Sequence, residues 1–123
     1  MVAEVVDASV LGAFLFQEPR AEEAASLLEH AELFAPELLA YELASIARKK
    51  TLNHPELREQ ILQALQVGLS LDIHWLRVDH VAVVELALQT ELTTYDASYL
   101  HVARTLDLPL VTFDEQLESA SER

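Results

Sequence analysis

Val2-Ala3-Glu4-Val5-Val6-Asp7-Ala8-Ser9-Val10-Leu11 reads as a short apolar strand, Val2 to Val6, that stops on an acid and turns at once into a helix. Asp7 or Ser9 supplies the capping oxygen, and Val10, Leu11, Phe14 and Leu15 give the helix an apolar face. The alternation then repeats along the chain. Glu18-Pro19 breaks the first helix, and Ala21, Ala24, Ala25, Leu28 and Ala31 mark a second at helical spacing. Leu33-Phe34-Ala35 is a short strand, and Pro36 suits the first position of a helix running to about Lys50. Asn53-His54-Pro55 is a turn, after which Leu57, Ile61, Leu62 and Leu65 outline an amphipathic helix closed near Gly68. Ile73 to Val78 reads as a strand, and Val81, Val84, Ala87 and Leu88 as one helix face. Thr93-Thr94 opens a helix from Tyr95 to Leu106, Leu108 to Thr112 is the last strand, and a short helix follows Asp114. Strands and helices in alternation predict an α/β fold, a parallel sheet flanked by helices. No linker or repeat interrupts residues 1–123, so a single domain is expected, with a polar end at Ser119 to Arg123.

Composition narrows the function. Hydrophobic residues make up 51% and charged residues 24%, a globular balance. The longest apolar run, Val10 to Phe16, has seven residues, far short of the roughly 20 that span a bilayer. No membrane association is expected, and with no Lys or Arg before Arg20 a secretory leader is not expected either. The chain has no cysteine, which excludes disulfides and thiolate metal sites and fits a cytoplasmic location. The net charge of −13 opposes any polyanionic substrate unless divalent metals gather some carboxylates into a site, or a basic partner covers them.

Three acids fall where a strand ends or the next helix begins: Asp7, Asp96 and Asp114. In an open parallel sheet that edge is where ligands bind, and residues distant in sequence converge there. Each acid also has a structural reading as a helix cap, and Thr93-x-x-Asp96 matches a capping box. Glu42 is different. By helical geometry it lies about 40° from Leu38 on one side and about 40° from Ile46 on the other, so its carboxylate points along an apolar face. A carboxylate there needs a metal, a cation or a strong donor. Lys49, about 20° away by the same arithmetic, is a candidate partner, and a metal site shared with the other three acids is the alternative.

Four segments carry a resemblance. Val5-Val6-Asp7-Ala8-Ser9-Val10-Leu11, Pro36-Glu37-Leu38-Leu39-Ala40-Tyr41-Glu42-Leu43-Ala44, Thr94-Tyr95-Asp96-Ala97-Ser98-Tyr99-Leu100 and Leu110-Val111-Thr112-Phe113-Asp114 are similar to the four acidic motifs of PIN domains. The chain resembles in particular the short VapC-type toxins of toxin–antitoxin pairs, from Val2 to about Leu117. The resemblance implies a doubly wound, three-layer α/β fold and endonucleolytic cleavage of RNA with Mg²⁺ or Mn²⁺. It also implies a homodimer and an antitoxin whose basic tail covers the site. Hard divalent cations prefer carboxylate oxygen, so the four acids form a suitable ligand set. Asp7 and Asp96 are assigned as principal ligands, with Glu42 and Asp114 completing the site directly or through water. Thr112 and Ser9 are candidate donors behind the ligands, with Ser9 also readable as a cap only.

Other features carry less. The five histidines show no metal-ligand spacing, and His101 lies about 140° round the helix from Asp96. His74 and His80 are expected at a surface or core edge. Arg48-Lys49-Lys50 either contacts RNA phosphates or complements a helix C-terminus. Trp75, Phe14 and Phe16 are expected in the core or at a dimer interface. A phosphatase would want a second Asp where Ser9 stands, and a receiver domain a Lys after its last central strand, where Phe113 and Asp114 follow Thr112. The alternative from another class is a PIN-fold binding module without catalysis, acting through its acidic surface.

Overall fold

The computed structural model describes residues 1–123. Four strands, β1 (Val2–Val6), β2 (Ala31–Pro36), β3 (Ile73–Leu76) and β4 (Leu110–Val111), form one parallel sheet in the order β3-β2-β1-β4. The chain winds outward from β1 through β2 to β3, then returns to lay β4 on the other side of β1. The strand order therefore reverses at β1, and the sheet is doubly wound as the resemblance implied. Helices α1 (Ala8–Leu15), α2 (Ala21–Leu28), α3 (Leu38–Asn53) and α4 (Arg58–Leu69) pack on one another. A short 3₁₀ turn, Pro55–Leu57, joins the last two. Helix α6 (Thr94–Leu106) packs on β1, β2 and β4 and is flanked by α5 (His80–Thr90) and α7 (Glu115–Ser121).

Burial follows from this arrangement. Val5 and Val6 are fully buried on adjacent, opposite-facing positions, as expected of a central parallel strand covered on both faces. Ala97, Ser98, Tyr99 and Leu100 are also buried in succession, so α6 is enclosed on all sides at its second turn, after an exposed start at Thr94 and Tyr95. Phe14, Phe16 and Trp75 are half-buried against the core. No helix is long and apolar enough to cross a membrane.

Several expected boundaries shift. The second helix ends at Leu28, and Ala31 belongs to β2, because His30 takes a left-handed conformation (φ 60°) that turns the chain into the strand. Pro36 is the last residue of β2 and not the first of a helix; α3 starts at Leu38 and continues past Lys50 to Asn53. Gly68 lies inside α4, where an added Cβ would run into Cδ1 of Leu15; close packing, not a turn, explains it. The strands β3 and β4 are shorter than expected, and β4 keeps only Leu110 and Val111 between Pro109, which has no N–H, and Thr112, whose side chain turns to other partners. Both glycines are helical, so the left-handed positions that close turns fall to Gln17 (φ 51°), His30, Glu91 (φ 61°) and Asp107 (φ 55°).

Candidate functional site at the C-terminal edge of the sheet

Asp7 stands at the end of β1, the strand at which the winding reverses. It caps α1, its Oδ1 accepting from the Val10 backbone N–H at 3.2 Å and from Ser9 Oγ at 2.6 Å. Its Oδ2 accepts from Thr112 Oγ1 at 2.6 Å. Cap and clustered acid are thus the same residue in two roles. Only 5% of Asp7 is exposed, and burial raises its pKa above the usual carboxylate range while the Ser9 and Thr112 hydroxyls and the Val10 N–H pull it back. Ser9 and Thr112 are tied into one network: Ser9 Oγ accepts from Phe113 N–H at 2.9 Å, and Thr112 Oγ1 accepts from Asp114 N–H at 3.0 Å. These bonds lock the end of β4 to the start of α1.

Glu42 is half-buried on the first turns of α3, which begin just after β2 ends beside β1. Its partner is not Lys49, which is exposed and in no ion pair. Tyr99 Oη, from α6, donates to Glu42 Oε1 at 2.5 Å. Burial raises the Glu42 pKa, the Tyr99 bond lowers it, and the charges of Asp7 and Asp96 raise it again. The Tyr99 hydroxyl is pushed up in turn, by burial first and then by Glu42.

Asp96 is the third residue of α6 and half-buried. The cap there is Thr93, whose Oγ1 accepts from Asp96 N–H at 3.1 Å. Burial raises the Asp96 pKa, followed by the charges of Asp114 and Asp7. Asp114 is exposed and caps α7 by accepting from Leu117 N–H at 2.8 Å. The fold therefore brings Asp7, Glu42 and Asp96 within mutual electrostatic reach, and Asp114 adjoins them beside Asp96. No Lys, Arg or His pairs with any of the four.

Carboxylates gathered without a protein cation have the donor chemistry that a hard divalent ion takes. As the side chains stand, no three acidic or histidine groups converge closely enough to enclose one ion. Ligation by this set requires its acids to draw closer together than they stand. Tyr99 is the site residue that the sequence reading did not single out; its place one turn after Asp96 is the only local signal for it. The basic run is not gathered at the acids: Arg48 and Lys49 are exposed, and Lys50 lies 3.9 Å from Glu18.

The family model of the PIN domain matches residues 5–122. Ribonuclease VapC3 of Pyrobaculum aerophilum is 32% identical over 118 residues, covering 92% of this chain and 90% of that protein. The crystal structure of PAE2754 from Pyrobaculum aerophilum superposes with a TM-score of 0.80 at 27% identity, over 98% of this chain and 86% of that one.

Proposed function

Since the chain belongs to the PIN-domain family, we propose that it is a nuclease of the VapC type, a Mg²⁺- or Mn²⁺-dependent endoribonuclease. The reading includes its role as the toxin of a toxin–antitoxin pair. The observation that supports it most is the group Asp7, Glu42 and Asp96, which come from three separate elements and have no cation from the protein, the charge of Asp7 raising the proton affinity of both Glu42 and Asp96. Gathering carboxylates without a cation costs stability, as active-site acids often do.

In this reading Asp7, fixed from behind by Ser9 and Thr112, and Asp96 hold the ion. Glu42 and Asp114 complete the site directly or through water, and one of them orients the attacking water. What such an ion supplies when bound is charge neutralisation at the phosphate and a lowered pKa for water. The Ser9–Thr112 network keeps Asp7 aimed and opposes the rise in its pKa that burial causes. The surrounding charge of −13 makes a basic antitoxin tail a fitting cover for the same acids, and the proposal extends to a homodimer as the toxin's form.

Induction in a bacterial host tests the reading together with cleavage of RNA by purified protein. Wild-type protein is expected to arrest growth and to cut RNA with Mg²⁺ or Mn²⁺ but not with chelator. Asp7→Asn or Asp96→Asn should abolish both at equal expression. Soluble wild-type protein that neither cuts RNA nor slows growth would instead favour the non-catalytic binding module.

A further inference from the structure

Tyr99 is 1% exposed, its ring held in the core on the enclosed second turn of α6. Its hydroxyl reaches out of that core to one atom, Oε1 of Glu42, on a helix 57 residues away in sequence. Nothing else in the protein bonds the Glu42 carboxylate, and Oε2 is left without a donor. A glutamate has three rotatable bonds, and the Tyr99 bond is the one hydrogen bond that restrains them at Glu42. Because Tyr99 follows Asp96 by one turn of the same helix, the bond also fixes Glu42 relative to Asp96. A buried phenol needs an acceptor, yet any backbone carbonyl would serve. Here the acceptor is a member of the acidic group.

We propose that Tyr99 is a positioning residue that orients Glu42 by binding Oε1 and leaves Oε2 available to the divalent cation or its water. The proposal rests on the nuclease reading of the site. Tyr99 touches neither RNA nor ion; it acts through Glu42.

Tyr99→Phe isolates the hydroxyl, since the ring and its packing stay. Calorimetry with Mn²⁺ and no RNA should show affinity weakened by roughly 10–100-fold, the usual loss when the group behind a ligand is removed. Circular dichroism of the metal-free variant should match wild type. In cleavage assays below metal saturation kcat should fall while KM for RNA holds. A cycle with Glu42→Gln supplies the second control: in that background Tyr99→Phe should add no further loss of Mn²⁺ affinity. Undiminished Mn²⁺ binding by Tyr99→Phe, or losses that add in the double variant, overturns the positioning role and leaves the nuclease reading intact. Wild-type protein that binds no Mn²⁺ and cuts no RNA overturns both.

Discussion

Thr112→Val removes one hydroxyl and little else, because valine nearly matches threonine in shape and the position is 9% exposed. The lost group donates to Asp7 Oδ2 at 2.6 Å and accepts from Asp114 N–H at 3.0 Å. A hydrogen bond to a charged group contributes about 1.5–3 kcal/mol, and water can replace the acceptor at the exposed Asp114 end. The net cost should therefore be about 2 kcal/mol in metal-free protein. With unfolding entropy of about 2.1 cal/mol/K per residue, a chain of this length loses roughly 4 °C per kcal/mol, so the melting temperature should drop by about 8 °C. The pH dependence gives the sharper check. Burial raises the folded-state pKa of Asp7 above its unfolded value, so Asp7 opposes folding as pH rises through the folded pKa. The Thr112 bond offsets part of that, and its removal raises the folded pKa further. The deficit of Thr112→Val is thus full above the folded pKa and shrinks as acid protonates Asp7 in both proteins. Thermal melts followed by circular dichroism, from about pH 7.5 down to about pH 4 at fixed ionic strength, measure it. A variant that melts with wild type at neutral pH, or a deficit that persists unchanged in acid, would refute the reasoning.

Mn²⁺ should stabilise wild-type protein by about 2.7 kcal/mol when free metal is ~100 times its dissociation constant, read as a rise in melting temperature. Asp7→Asn and Asp96→Asn should lose most of that rise and the control Asp107→Asn should keep it; equal shifts in all three variants would contradict a shared metal site. Glu4 is 8% exposed on β1, opposite Leu33, with Oε1 unpartnered and its pKa raised by burial. A raised folded pKa means that the charge costs stability from the unfolded value upward, so Glu4→Leu should gain about 1 kcal/mol at neutral pH and less in acid. A lower melting temperature for Glu4→Leu at neutral pH would show that Glu4 has a stabilising partner.

What the sequence makes legible is local. The strand-to-helix turn at Asp7 and the helix start after Asp114 are readable because capping and apolar periodicity act over a few residues. The inward aim of Glu42 is readable for the same reason, since helical spacing alone places it between Leu38 and Ile46. Its partner is not. A helical wheel offers only residues of the same helix and so points to Lys49, whereas Tyr99 arrives from α6 through the packing of the whole sheet. The same limit explains Pro36: its fixed φ suits a helix start, but the pairing of β2 with β3 carries the strand one residue further, to Leu76 opposite Pro36. The reach between Asp7 and Thr112, 105 residues apart, depends on β4 lying beside β1, and strand order is not written in either segment.

Gln17, His30, Glu91 and Asp107 hold left-handed backbone conformations that an L-residue adopts at a cost of roughly 1–2 kcal/mol each. None of them belongs to the acidic group or to the network behind it. The chain can therefore recover lost stability by single exchanges to glycine or asparagine at positions outside the acidic group. A lineage that must change its surface, and absorbs damaging substitutions as it does so, has four independent places to restore foldedness. Drift on the outside and constancy at the sheet's edge are, in this protein, separable problems.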